Sequence, residues 1–195
     1  MGPADADLKP NGGVRTSFLI PIHMEEAILR ASVEEILRAV PDEAKPHELL
    51  LVENGSRDRT REIARALAEG VPEVRLAVLD VADYGLALRA GIRQAGGERV
   101  GRFKLEFWDL DFGRAAFERL DGHDIVLASK TLQGAKDERP FLRRLITRCF
   151  NGLLRRAFGV DTTDTHGLKA FHRAPVLALL PDCRSSRWMF DTELV

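Results

Sequence analysis

Short apolar runs separated by segments of helical spacing recur along the first two thirds of this 195-residue chain, and that alternation admits few folds. Residues 14–20, 48–52, 74–79, 100–107 and 124–129 read as buried strands. Between them, residues 26–40, 58–69, 85–95 and 112–120 read as helices. In the first of these Ile28, Leu29, Val33, Ile36 and Leu37 form the apolar stripe, and Pro41 stops it. Parallel neighbours need a crossover, so the pattern predicts an open, mostly parallel α/β sheet with helices on both faces. A long basic helix over 140–158, a strand over 168–171 and a helix over 175–180 complete the expectation. With 45% hydrophobic residues, a chain of this size suits one core, so a single domain over 14–195 is expected. Residues 1–13, rich in Gly, Pro and Asp, read as a disordered tail, and a helix beginning just before Val195 reads as a domain cut short.

Composition removes several function classes. There are 29 basic and 30 acidic residues for a net charge of −1, so no global field favours nucleic acid or an anionic membrane. No apolar run reaches the length of a membrane span. Cys149 and Cys183 lack metal-ligand spacing and are too few for a disulfide framework, which points to a reducing, cytoplasmic setting. Neither a G-x-G-x-x-G turn after the first strand nor a G-x-x-x-x-G-K-[ST] loop is present, which argues against a dinucleotide dehydrogenase and a P-loop NTPase.

The chemistry gathers where strands end, which is where open α/β sheets bind ligands. Pro21 and Glu25 follow the first strand. Glu53-Asn54-Gly55-Ser56-Arg57-Asp58-Arg59-Thr60 follows the second, and Asp83 with Gly85 opens the third helix. A carboxylate that ends an apolar strand, as Glu53 does, must find a partner or a ligand. Asp58 and Thr60 also suit a helix cap, and Glu25 and Glu26 suit first-turn acids.

Taken together these segments resemble the family 2 glycosyltransferases, especially the polyprenyl-phosphate sugar transferases of the dolichol-phosphate mannosyltransferase type. The family pattern P-x-x-N-E-E is met by Pro21-Ile22-His23-Met24-Glu25-Glu26, and D-D-G-S-x-D-x-T by Glu53 to Thr60. N-x-G-x-G-x-A-x-x-x-G is met in part by Asp83 to Gly91, and D-x-x-S-G-x-[KR]-x-[FL]-x-R by Asp161 to Arg173. The resemblance implies a GT-A (nucleotide-diphosphosugar transferase-like) domain that moves a hexose, with inversion, from a nucleotide-diphosphosugar to an acceptor, here a polyprenyl phosphate. It implies Pro21, Glu25, Glu53, Asn54, Ser56, Asp83 and Gly85 as the nucleotide-sugar site, and Arg143, Lys169 and Arg173 on phosphates. Lys104, Glu106 and Asp164 are its catalytic candidates, with Asp164 the base if the acceptor is instead a protein or glycan. A lipid phosphate is already an anion and needs none.

One departure from the family stands out. Its Asp-x-Asp metal pair falls on Lys104-Leu105-Glu106, so one ligand is replaced by an ammonium. Two readings follow: Lys104 neutralises the diphosphate as a point charge without a metal, or Glu106, Asp109 and Asp111 hold Mg²⁺ or Mn²⁺. Asp109 equally suits a helix cap. The basic stretch 140–158 suits peripheral contact with lipid phosphates at the inner face of the membrane, and equally a solvated face over a buried stripe. The alternative to an enzyme is a nucleotide-sugar-binding pseudoenzyme that has lost its metal pair.

Overall fold

The computed structural model describes residues 13–106, 108, 110–128, 168–185 and 189–194. Strands β1 (Thr16–Ile22), β2 (His47–Asn54), β3 (Val74–Leu79), β4 (Arg99–Arg102), β5 (Ile125–Leu127) and β6 (Lys169–His172) form a sheet of order β3-β2-β1-β4-β6-β5. The first four in that order are mutually parallel, while β6 runs antiparallel to β4 and to β5. Helices α1 (Leu29–Ala39), α2 (Thr60–Gly70), α3 (Tyr84–Gln94), α4 (Leu110–Arg119), α5 (Arg173–Leu179) and α6 (Phe190–Glu193) pack around it. The expected layout is therefore present, with one antiparallel strand inserted beside β4. The proposed tail 1–13, beyond Gly13, and the basic helix 140–158 lie outside the described residues.

Side-chain alternation in β1 builds both cores at once. Phe18, Ile20 and Ile22 join Leu29, Val33 and Ile36 of α1, Ala64 and Leu67 of α2, and Phe117 of α4. Leu19 faces the other way, with Leu50 and Val52 of β2, Ala87 and Leu88 of α3, and Val176 and Phe190. Gly91 lets α3 lie directly on the sheet, because a Cβ there would run into Leu19 and Val52. Burying these apolar faces at about 25 cal/mol per Å² is the main drive for the layered arrangement.

Two boundaries differ from the sequence reading for physical reasons. β1 runs on through Pro21 to Ile22, past the end at residue 20 that the sequence pattern predicts. The register explains why: Leu19 faces Arg102, the last residue of β4, so past Leu19 only β2 flanks β1 and the missing N–H of Pro21 costs no ladder bond on the far side. β4 itself stops at Arg102 rather than 107. Phe103 still donates its N–H to Leu19 O at 3.0 Å, after which the chain bends and both Phe103 and Leu105 enter the core.

The register sets the carboxyl ends of β1, β2, β3 and β4 along one edge, with Ile22 opposite Glu53 and Asn54 opposite Leu79. Behind that edge the C-terminal segment locks in through charge. Asp191 of α6 accepts from Lys169 Nζ at 3.0 Å and from Arg102 Nη2 at 3.0 Å, and all three side chains are at most 2% exposed. Tyr84 Oη donates to the same carboxylate at 3.3 Å, and its ring lies 5.3 Å from the Arg102 guanidinium. Arg89 adds three bonds to the carbonyls of Leu180, Cys183 and Ser185. Removing a carboxylate shared by two buried cations is costly, so Asp191→Ala should lower the unfolding free energy by about 3 kcal/mol in a urea titration. A loss below about 0.5 kcal/mol, the range of ordinary surface changes, would contradict this role.

Candidate functional site

The two loops that leave β1 and β2 are stitched together by side chain to backbone bonds. Met24 N–H donates to Ser56 Oγ at 3.0 Å, Glu25 N–H to Thr60 Oγ1 at 2.7 Å and Glu26 N–H to Asp58 Oδ2 at 3.3 Å. Arg59 N–H returns a bond to Glu26 Oε2 at 2.8 Å, and His23 Nδ1 donates to Asn54 O at 2.8 Å. α1 begins at Leu29 and not at 26, after a turn in which Ile28 N–H and Leu29 N–H both donate to Glu25 O. Met24 takes a left-handed φ of 59° to present its N–H, and Gly55 sits at φ 64°. At Gly55 a Cβ would stand 2.8 Å from the backbone of Val81 and Ala82, so only glycine lets the β2 loop lie against the β3 loop.

Glu53 is fully buried, and both its oxygens are engaged within the protein. Oε1 accepts from Ser56 N–H at 2.5 Å, and Oε2 from Arg61 Nε at 2.7 Å. Arg61 goes on to Leu79 O at 3.0 Å and to Asp80 at 3.4 Å, so one guanidinium ties the ends of β2 and β3. Asn54 accepts from Asp83 N–H at 2.7 Å, and the Asp83 carboxylate accepts from Leu86 N–H at 3.0 Å as the N-cap of α3. Gly85 is buried in the first turn of that helix, and Pro21 lies half-buried opposite Val52.

Between these loops opens a groove of about 780 Å³, lined among others by His23, Met24, Ser56, Arg57, Arg61 and Val81. Met24 and Val81 are 51% and 52% exposed there, so the groove offers apolar flanks beside charged ends. The sequence reading did not single out Arg57, Arg61, Asp80, Met24 or Val81. Arg61 had a legible signal, since it stands one residue into α2 directly after a motif whose buried glutamate needs a cation.

Glu25 and Glu106, distant in sequence, come together beside this groove. Burial first, and then the facing Glu106 carboxyl, hold the Glu25 carboxyl above its ordinary value of 4.5. Lys104 lies two residues past β4, is half-buried, and forms no ion pair among the described residues. Asp111 is exposed in the first turn of α4. Two expected phosphate ligands are corrected. Lys169 is buried against Asp191, as described above. Arg173 lies at the opposite edge of the sheet, because β6 is antiparallel and places His172 beside Arg99 at the amino end of β4; its guanidinium caps α3 through Ile92 O and Arg93 O. Arg143, Asp164 and Asp109 lie outside the described residues.

The donor set tests the expected Mg²⁺ or Mn²⁺. Among the described residues no group of three acidic, histidine or cysteine side chains could hold a metal ion. Glu25 and Glu106 offer two carboxylates, but the ammonium of Lys104, without an ion pair among the described residues, stands two residues from Glu106 at the position where the family resemblance expects the first ligand. That charge opposes a divalent ion, so the described residues do not fit one.

Residues 17–103 match the family described as glycosyl transferase family 2. An undecaprenyl-phosphate 4-deoxy-4-formamido-L-arabinose transferase of Pectobacterium carotovorum is 31% identical over 170 residues, covering 84% of this chain and 50% of its own. Glycosyltransferase AglD of Haloferax volcanii is 29% identical over 192 residues, covering 94% of this chain and 30% of its own. The chain thus spans half or less of these two relatives. The solved structure of Mycobacterium tuberculosis glucosyl-3-phosphoglycerate synthase with Mn²⁺, uridine diphosphate and phosphoglyceric acid superposes with a TM-score of 0.62 at 22% identity, covering 86% of this chain and 58% of that one. That likeness establishes the GT-A fold.

A carboxyl whose value rises on folding is most favourable below its ordinary value and loses that advantage as pH climbs through the raised one. Glu25→Gln should therefore raise the melting temperature relative to the parent at pH 7, with the gain vanishing well below pH 4.5. An equal shift at both pH values in thermal melts would show that folding does not raise the Glu25 carboxyl.

Proposed function

We propose that this chain, whose residues 17–103 belong to glycosyl transferase family 2, binds a nucleotide-diphosphosugar in the groove at the carboxyl ends of β1, β2 and β3 and transfers its hexose, with inversion, to a polyprenyl phosphate. The observation that carries this is the groove itself, with its rigid stitched rim, apolar flanks and the cationic Arg57 in its lining. The names of relatives support the acceptor: one is an undecaprenyl-phosphate transferase.

In the reaction an acceptor phosphate oxygen attacks the anomeric carbon from the face opposite the leaving group. The new C–O bond forms as the bond to the nucleoside diphosphate breaks, and the electron pair leaves on the diphosphate. The nucleophile enters as an anion, so no proton need be removed, and the protein's work is orientation and charge stabilisation. Met24 and Val81 flank the nucleoside, while the bonds of Glu53, Asn54 and Ser56 hold the groove in shape before the donor arrives. Fixing this rim in advance spares the ordering cost on binding. The arginines at 139, 143, 144, 148, 155 and 156, outside the described residues, supply charge for a peripheral contact with the cytoplasmic face of a membrane, where a lipid acceptor would lie.

Incubating the protein with undecaprenyl phosphate and a panel of labelled UDP- and GDP-hexoses and UDP-4-deoxy-4-formamido-L-arabinose should move label into the lipid phase with release of nucleoside diphosphate. Binding of nucleotide without transfer from any donor would instead favour the non-catalytic reading.

A further inference from the structure

The carboxylates and cations at this sheet edge are treated unequally. Glu53 is held by Ser56 N–H and Arg61, Asp58 by Thr60 and Glu26 N–H, Glu26 by Arg59 N–H, and Asp83 by Leu86 N–H. Among the described residues Arg57 and Lys104 form no ion pair. Lys104 is half-buried, and the residues either side of it, Phe103 and Leu105, are each 2% exposed in the core, so its backbone is fixed at the end of β4. An ammonium drawn partly out of water with no counter-ion among the described residues calls for an anionic partner. The solved relative of the same fold binds uridine diphosphate together with Mn²⁺. Here the strand end presents a permanent cation instead.

We propose that the Lys104 ammonium, and not a divalent metal ion, is the group that meets the donor's diphosphate, so that nucleotide binding by this protein is independent of metal. This rests on the donor-site reading above and gives it a charge mechanism. Lys104 lies two residues past β4, which flanks β1 on one side, and Arg57 lies in the loop after β2, which flanks β1 on the other. A diphosphate running from the groove toward the end of β4 then passes from one cation to the other. The ammonium cannot be lost to a chelator, and as the bond to the sugar breaks it stabilises the charge that develops on the leaving diphosphate. A lysine offers one compact charge in place of an ion that several oxygens would have to cage.

Isothermal titration calorimetry with UDP, GDP and the bare nucleoside uridine, each in EDTA and in Mn²⁺, tests this on the whole chain. The unaltered protein should bind one of the two diphosphates in EDTA, with no gain in affinity from Mn²⁺. Lys104→Gln should weaken that diphosphate by about tenfold or more, the worth of one charge-assisted bond, and leave uridine binding unchanged. Lys104→Asp should lose diphosphate binding in EDTA and recover it with Mn²⁺. Diphosphate binding that requires Mn²⁺ in the unaltered protein, or a Lys104→Gln affinity equal to the parent in EDTA, overturns the lysine role while leaving the donor site standing. Failure to bind uridine and both diphosphates in either buffer overturns the donor site itself, and the lysine role with it.

Discussion

Three successive backbone N–H groups, those of Met24, Glu25 and Glu26, donate to three side chains spaced two apart, Ser56, Thr60 and Asp58, and the rest of the site depends on that stitch. Each bond contributes about 1 kcal/mol net. Their larger effect is to leave the two loops one mutual arrangement, so that the groove exists before any ligand arrives. The S-x-D-x-T segment accordingly has a double duty. Asp58 accepts from Thr60 N–H at the start of α2 while its other oxygen accepts from Glu26 N–H, so one carboxylate both holds the entry to the helix and joins the two loops.

Buried carboxylates fix the sheet at both edges. At the carboxyl edge Glu53 joins the ends of β2 and β3 through Arg61. At the amino edge Glu48 accepts from Ser17 Oγ at 2.6 Å, Gly96 N–H at 2.7 Å and Arg75 at 2.7 Å, tying β1, β3 and the turn before β4. Asp191 does the same between β4, β6 and the C-terminal helix. A buried charge is tolerated only where its partners are this complete, so each of these sites specifies one arrangement of strands rather than adding much net stability.

Most of the layout was legible because periodicity reports burial directly: β3 was read to the residue, and the helices within a few. Pro21 misled because its meaning depends on whether a neighbour lies on both sides, which no local pattern reveals. Lys169 and Arg173 misled for a related reason. Their spacing matched a phosphate-binding pattern, yet β6 is antiparallel, so four residues of strand carry them to opposite edges, one into the Asp191 cluster and one onto the end of α3. The meeting of Glu25 with Glu106 spans eighty-one positions and becomes visible only once β1 and β4 are known to be adjacent. By contrast, the lysine where the family resemblance expects the first metal-binding aspartate is plain in the sequence, and the structure adds that no described residue pairs with its charge.

A crystal structure of the protein grown with a nucleoside diphosphate in a chelating buffer would test the donor site most directly. The account predicts density for the nucleoside between Met24 and Val81, with the diphosphate against the Lys104 ammonium and the two stitched loops unmoved. Density for the nucleotide at the other edge of the sheet, or a groove that forms only after the loops rearrange, would contradict it.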